Sequence, residues 1–257
     1  MKALLGTLMV SCVLQASLMA QSGFSDANSL FVWSKSGLTL RKGPSSKAPK
    51  IKTLPYGTKV SLLKIKGQVT FDSVVVIPSG TDKRGGKAPA FVLHGYWAYV
   101  ASGQDTGHVF NGYLSWMPPF QPTPPSETSG APYESISTWL TQTVGILDTR
   151  KINQYDEDYT RVYKNHVVEY LHTGEGGGSL RYTFQHDMGF HDGFLLLNYF
   201  EGLHFRKEDI EACDIFDLTL GDKYLNLSTE GLGGGLAWGV RLSWRDGLLI
   251  IEVGRGC

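Results

Sequence analysis

Two histidine–aspartate pairs carry the most recognisable candidate chemistry in this sequence. His186 and His191 lie five residues apart and each is followed by an aspartate, while His166 and His172 lie on a neighbouring predicted strand. Imidazoles and a carboxylate together could form a three-ligand zinc site. However, the pairs lie in a predicted hairpin connection, where Asp and Gly are typical turn residues, and no helical His-Glu-x-x-His motif is present. We favour the turn, with a zinc-dependent hydrolase using His186 and His191 as the alternative.

The cysteines predict a crosslink rather than a nucleophile. A cysteine peptidase of the usual cell-wall type needs a histidine base later in the chain, and none of the seven histidines follows Cys213. We therefore predict no catalytic residue and no cofactor. In an oxidising compartment, Cys213 and Cys257 would form a disulfide that closes a loop of about 45 residues and stabilises the fold by roughly 4 kcal/mol. Two unpaired thiols are the alternative.

The first twenty residues (1–20) are typical of a secretion signal. After a positive start, the segment is uncharged and largely apolar, with polar residues that a membrane-spanning helix disfavours. Cleavage could follow Ala20, or it could precede Cys12, because Leu8–Ser11 is similar to a lipoprotein box and Cys12 would then carry the lipid. We predict export to the periplasm or cell envelope, with membrane contact only through such an anchor. A cytosolic protein with a buried N-terminal helix would need polar residues at helical spacing, which are absent.

A proline-rich linker at residues 117–132 separates two halves of opposite charge. The whole chain has 24 Lys and Arg and 24 Asp and Glu, and this balance excludes a uniformly basic nucleic-acid binder. From Ser29 to Trp116, twelve basic residues stand against three acidic ones, a net charge of +9. Residues 133–257 have eleven basic and nineteen acidic residues, a net charge of −8. Either the basic half binds an anionic polymer, or the two halves dock on each other.

The basic half shows short apolar alternations between turn residues, a pattern typical of a small antiparallel β-barrel. Four motifs in it resemble those of bacterial SH3-like domains: Leu38–Pro44, Gly57-x-x-Val60, Trp97-x-x-Val100, and Gly107-x-Val109 followed by Tyr113-Leu114. The resemblance covers residues 29–116 only. It implies a five-stranded barrel that binds peptides or cell-wall polymers and has no catalytic activity of its own. The sequence departs from the family at His108, commonly an aromatic, and in the polar excursion from Pro78 to Pro89.

Aromatic and basic residues of this half define the predicted binding site. A barrel of this size is too small to bury all of its Trp and Tyr rings, and exposed rings beside cationic side chains would bind peptide or sugar faces and attract anionic groups. The predicted ligand-binding residues are Arg41, Lys42, Tyr56, Trp97, Tyr99 and Tyr113. The alternative is that most of these rings form the core of the barrel.

The acidic half (133–257) predicts an α+β domain with a twisted antiparallel sheet and one or two helices. Apolar residues at helical spacing predict a helix from about Glu134 to Asp148, and Glu208–Phe216 is a candidate short helix. Asp246-Gly247 predicts a hairpin turn. The strands are predicted at Val162–Leu171, Leu180–His186, Phe194–Phe200, Tyr224–Leu227, Leu236–Trp244 and Leu248–Val253. The fold class of the whole chain is therefore mainly β, with a small SH3-like barrel followed by this α+β domain.

These features predict an exported cell-envelope protein that binds rather than catalyses. Its partner would be a cell-wall peptide, a glycan, an anionic envelope polymer or another protein, and not a nucleic acid. The acidic half would be a structural or partner-recognition domain. The alternatives are a metal-assisted hydrolase that the barrel targets to the cell wall, and a structural protein whose halves dock through opposite charge.

Overall fold

The computed structural model describes residues 29–64, 68–120, 136–152, 158–174, 177–185, 188–230 and 237–256. Within them the protein is mainly β, with antiparallel sheets and few helices, as the sequence predicts. The predicted signal, Cys12 and Cys257 lie outside the described residues. No helix within the described ranges has both the length and the apolar character needed to cross a membrane.

The basic half forms an eight-stranded sheet and a separate two-stranded one. Its strands are β1 (Ser29–Val32), β2 (Leu38–Arg41), β3 (Lys50–Leu54), β4 (Lys59–Leu62), β5 (Phe71–Ile77), β6 (Gly80–Thr81), β7 (Lys87–Ala88), β8 (Phe91–Ser102), β9 (Asp105–Phe110) and β10 (Leu114–Ser115). The larger sheet has the order β10-β1-β4-β8-β9-β2-β3, β5 also pairs with β8, and β6 pairs with β7. The SH3-like resemblance implies five strands, and this sheet has eight.

The acidic half forms a second eight-stranded antiparallel sheet. Its strands are β11 (Ile146–Lys151), β12 (Tyr159–Tyr163), β13 (Val168–Gly174), β14 (Gly177–Gln185), β15 (Ile215–Gly221), β16 (Tyr224–Glu230), β17 (Ala237–Arg245) and β18 (Leu248–Gly256), in the order β11-β12-β13-β14-β18-β17-β16-β15. The predicted turn between β17 and β18 is confirmed, since Asp246 and Gly247 have φ angles of 52° and 80°. The strand predicted at Val162–Leu171 is wrong as one element: it is a hairpin that turns at His166, where φ is 62°.

In the part of the acidic half that the structure describes, three α-helices accompany this sheet: α1 (Ile136–Thr143), α2 (Phe190–Glu201) and α3 (Lys207–Ala212). The helix predicted to reach Asp148 ends earlier, because Gly145 turns the chain with a φ of 83° and β11 follows. The short helix predicted up to Phe216 also ends earlier, and Phe216 belongs to β15.

Helix α2 overturns the strand predicted at Phe194–Phe200. Four consecutive side chains, Phe194–Leu197, are all buried, so the sequence shows no polar face from which a helical period could be recognised. One side of α2 packs so closely on the second sheet that a Cβ at Gly193 would lie 2.6 Å from Leu242 Cδ1. On another side, the ring of Phe194 lies 5.2 Å from that of Phe91 in the basic half.

One hydrophobic core extends through both halves. Trp33 of the basic half is 1% exposed, and its ring makes edge-to-face contacts with Trp139 at 6.2 Å and Tyr199 at 5.7 Å between centroids. Met117 and Phe120, which the sequence places in the linker, are buried in the same core. The predicted linker is therefore not a spacer over its first four residues, and its remainder lies outside the described residues. A smaller core around Val32, Leu40 and Val100 belongs to the basic half alone.

The polar excursion after β5 joins the two halves. Asp82 is buried, and its carboxylate accepts hydrogen bonds from the backbone N–H of Phe216 at 2.9 Å and of Gly86 at 2.8 Å. The N–H of Lys83 donates to the carbonyl oxygen of Cys213 at 3.0 Å. The excursion therefore holds the start of β15, and its two-stranded sheet is part of the contact between the halves.

Candidate ligand-binding groove

A groove of about 350 Å³ lies beside strands β2, β8 and β9 and the turn between β1 and β2. Thr39, Trp97 and Phe110 form its floor, because alternate side chains of each strand point to the same face and Trp97 pairs with Phe110 across β8 and β9. The residues that line it, here called the basic groove, are Ser34, Lys35, Ser36, Gly37, Leu38, Thr39, Arg41, Val74, Trp97, Phe110, Tyr113 and His204. His204 comes from the acidic half, so both halves build the groove.

Cationic groups set the electrostatics of the basic groove. Lys35 Nζ lies 4.6 Å from the centroid of the Tyr199 ring, and partial burial lowers the pKa of Lys35 below its ordinary value. Burial and, secondly, the charge of Lys35 lower the pKa of His204, which favours its neutral form. No acidic side chain is among the described residues that line the groove. The basic groove therefore presents two cationic groups, Lys35 and Arg41, and the imidazole of His204 to a ligand.

The polar and aromatic groups of the groove can bind more than charge. The Ser34 and Ser36 hydroxyls lie 3.2 Å apart. Burial raises the pKa of Tyr113, so its phenol remains a hydrogen-bond donor. Trp97 is 5% exposed, and its Nε1–H donates to Asp72 Oδ2 at 2.9 Å. The indole N–H is thereby occupied within the protein, and Trp97 contributes apolar ring surface to the floor.

Three of the six predicted ligand-binding residues, Arg41, Trp97 and Tyr113, line this groove together. Lys42, the neighbour of Arg41, is exposed to solvent and is not among the residues that line it. Tyr99 lies outside it as well: its hydroxyl donates to Thr106 Oγ1 at 3.1 Å.

Tyr56 is used by the contact between the halves rather than by an open surface. Its ring stacks on that of Tyr199, with centroids 4.6 Å apart and planes inclined by 21°. Its hydroxyl oxygen accepts a hydrogen bond from the backbone N–H of Phe120 at 2.8 Å. Burial raises the pKa of Tyr56, which keeps the phenol protonated. The aromatic ring expected on the binding face thus belongs to the shared core.

Sequence reasoning missed Lys35 and His204 as groove residues. Lys35 enters the sequence analysis only as one of twelve basic residues, and the turn between β1 and β2 that aims it at Tyr199 carries no motif. His204 lies in the other half, so only the docking of the two halves brings it to the groove.

The residues of the metal-site alternative are not brought together by what the structure describes. His186 lies outside the described residues, and His191 Nε2 lies 3.3 Å from the carbonyl oxygen of Leu114. His172 Nδ1 lies 2.9 Å from Asp158 Oδ2. Within the described ranges, no group of three or more His, Cys, Asp or Glu side chains is arranged to hold a metal ion.

Cys213 is a buried free thiol that donates to the carbonyl oxygen of Asp209 at 3.3 Å. Burial raises its pKa, so the thiolate is disfavoured. Its predicted disulfide partner, Cys257, lies outside the described residues. The preceding residue, Gly256, lies on β18, three strands away from β15 in the sheet order. The crosslink stays a prediction.

No family model, no curated protein and no solved structure matches the chain.

Proposed function

We propose that this chain is an exported cell-envelope protein that binds a cell-wall peptide, glycan or anionic polymer through the basic groove. One observation carries the proposal: Arg41, Trp97 and Tyr113, chosen from sequence for such binding, line one groove with Lys35. An aromatic floor beside cationic groups suits a ligand with flat or apolar faces and negative charge. The SH3-like motifs and the secretion-type N-terminus of the sequence support the same reading.

Binding to purified peptidoglycan at low and high salt tests the ligand class. The full chain is needed, because the two halves share a core and His204 of the acidic half lines the groove. We expect retention at low ionic strength that weakens as salt screens the charges. No retention at low salt would contradict the proposal.

Arg41→Gln and Lys42→Gln form a matched pair for locating the site. The two residues are neighbours and lose the same charge, but only Arg41 lines the groove. A charge-assisted hydrogen bond contributes about 1.5–3 kcal/mol, so Arg41→Gln should weaken retention by roughly tenfold or more and Lys42→Gln by much less. Because Arg41 also donates to the carbonyl oxygen of Ala48 at 2.8 Å, Lys35→Gln provides a second groove variant without that structural bond. If Lys35→Gln and Lys42→Gln weakened retention equally, the ligand would bind outside the basic groove.

Export is tested separately, by mass spectrometry of the protein recovered from an expressing bacterium. Export predicts a new N-terminus after Ala20 or a lipid-bearing Cys12 in the envelope fraction. An intact Met1 on protein found only inside the cell would overturn the envelope assignment while leaving the groove to be judged by its own binding data.

A further inference from the structure

The second sheet has an open face on which two paired positions of its central strands, Gly239 and Gly254, carry no side chain. Helix α2 packs on one face of this sheet, where Leu242 and Leu249 are buried. Alternate residues point the other way, and there a trough of about 300 Å³ runs across the strands. The residues that line it, here called the open-face trough, are Tyr170, Ser179, Leu180, Arg181, Asn226, Leu227, Ser228, Gly239, Val240, Arg241, Glu252, Val253 and Gly254.

Two glycines form the centre of the trough. Gly254 of β18 pairs with Gly239 of β17, and the same row continues to Ser179 on one side and Ser228 on the other. Neither glycine has a positive φ. A Cβ at Gly254 would meet nothing nearer than Gly178 O at 4.0 Å, and one at Gly239 would lie 3.4 Å from Leu227 O.

Neither backbone conformation nor internal crowding therefore requires glycine at position 254. Glycine within a strand weakens the sheet and often marks a place where a ligand approaches the backbone closely. The cost relative to a residue with a side chain is about 0.5–1 kcal/mol for each glycine. The two glycines leave open space across the strands at this point.

Beside the glycine row, two arginines share one glutamate. Arg181 Nε donates to Glu252 Oε1 at 2.6 Å, and Arg241 Nη1 donates to Glu252 Oε2 at 3.0 Å. Both arginine side chains remain about half exposed, at 56% and 52%. Each guanidinium has five N–H donors, so most of them remain available to a ligand. Glu252 is the single acid among the described residues that line the trough, which leaves a net positive site within the half whose charge is −8.

The row that holds Arg181, Glu252 and Arg241 ends in two further polar side chains. Tyr170 pairs with Arg181 on one side, and Asn226 pairs with Arg241 on the other. The trough thus combines an aromatic ring, hydroxyl and amide groups, and guanidinium donors. Five strands, β13, β14, β18, β17 and β16, contribute to it. At a spacing of about 4.8 Å they give it a length of about 19 Å, which suits a short chain of units rather than a single ion.

We propose that the open-face trough binds a carboxylate-bearing saccharide. The arginines would bind the carboxylate through paired N–H···O bonds, the Ser, Asn and Glu side chains would bind sugar hydroxyls, and Tyr170 would cover a ring face. A peptide strand is less suited, since it binds at a sheet edge and needs pockets for its side chains, whereas the central strands here are fully paired. This site lies on a different sheet from the basic groove and does not depend on the function proposed for it.

The test presents the full chain with an array of acidic oligosaccharides, each beside its neutral counterpart in which the carboxylate is reduced, followed by calorimetry with the best binder. We expect an acidic member to bind at least about tenfold more tightly than its neutral counterpart. Arg241→Gln should abolish that preference, while Arg245→Gln, on the same strand and 87% exposed, should leave it unchanged. The proposal would be overturned if no acidic oligosaccharide bound more tightly than its neutral counterpart. It would also be overturned if Arg241→Gln and Arg245→Gln changed that preference equally.

Gly254→Val separates the trough from general stability. The Cβ of a valine there would meet nothing nearer than 4.0 Å, and its methyl groups would occupy the channel, so we expect loss of saccharide binding and an unchanged or higher melting temperature. Gly221→Val is the control: this exposed strand glycine lies outside the trough, and its Cβ would be 3.5 Å from Tyr224 Cβ. The assignment would be refuted if Gly254→Val bound the saccharide as tightly as the parent protein. It would also be refuted if an acidic peptide competed with the saccharide and its binding depended on Arg241 in the same way.

Discussion

Replacing Trp33 with Phe tests whether the two halves unfold as one body. The indole makes edge-to-face contacts with Tyr56, Trp139 and Tyr199, and its Nε1–H donates to the carbonyl oxygen of Met117 at 3.0 Å. Two of these partners, Trp139 and Tyr199, belong to the acidic half. A local change at Trp33 should therefore weaken both halves.

The expected loss in the free energy of unfolding is about 3 kcal/mol. Leaving the carbonyl of Met117 without its buried donor costs about 1–3 kcal/mol. The smaller phenyl ring also removes two carbon atoms from the core, worth about 1.6 kcal/mol at about 0.8 kcal/mol for each buried CH₂. For a protein of this size, each kcal/mol lowers the melting temperature by about 2–4 °C, so the variant should melt about 6–12 °C below the parent.

Hydrogen exchange followed by mass spectrometry measures both halves in one experiment. Peptides from β9 and from β17 should lose similar free energies of opening in Trp33→Phe. Trp244→Phe is the matched control, because Trp244 is only partly buried, with Lys223 Nζ 3.7 Å from its ring centroid, and its loss should cost less than about 1 kcal/mol. Loss of protection confined to basic-half peptides would refute the shared core.

Three further predictions concern buried polar groups. Glu169→Gln should destabilise the protein by about 3–5 kcal/mol in thermal melts, because fully buried Glu169 pairs with Arg161 at 3.3 Å. Burial, and next Glu169, raise the pKa of Tyr163 to about 12. An ultraviolet titration should therefore show one or more phenols still protonated at pH 11. The contribution of the protonated phenol to the free energy of unfolding should be lost as the pH rises from 10 to 12. The N–H of Phe216 lowers the pKa of Asp82. The free energy of unfolding measured in urea should therefore fall as the pH decreases below about 4, where the unfolded chain binds the proton first. Asp82→Asn should make that fall smaller.

The sequence was sufficient where local chemistry decides the structure. The turn at Asp246 needed only two residues that tolerate positive φ, and the strands on either side of it followed from alternation. Helix α1 was found because its buried side chains, Ile136, Trp139 and Leu140, recur at helical spacing. In these segments one face is buried and the other is not, so the period is visible.

Periodicity failed where an element is covered on more than one side. Helix α2 lies between the second sheet and the basic half, and Phe194–Leu197 therefore show no polar interruption. Tyr56 shows the same effect: a ring that is surplus to a small isolated barrel packs, partly buried, against the shared core once a second half covers it. The basic groove was only partly predictable, since Arg41 and Trp97 lie on one local sheet but His204 reaches the groove through tertiary docking.

The way in which the halves dock also bears on the two interpretations of their opposite charges. Trp33, Phe91 and Phe120 meet aromatic rings of the acidic half, so apolar packing supplies much of the contact, together with hydrogen bonds such as those of the polar excursion. Among ion pairs of the described residues, Lys83–Asp214 joins the halves, and its side chains are 55% and 48% exposed, a setting in which such a pair contributes little. Among the described residues, opposite charge therefore contributes little to holding the halves together. The net positive charge of the basic half would then act on an anionic partner of the kind proposed for the basic groove.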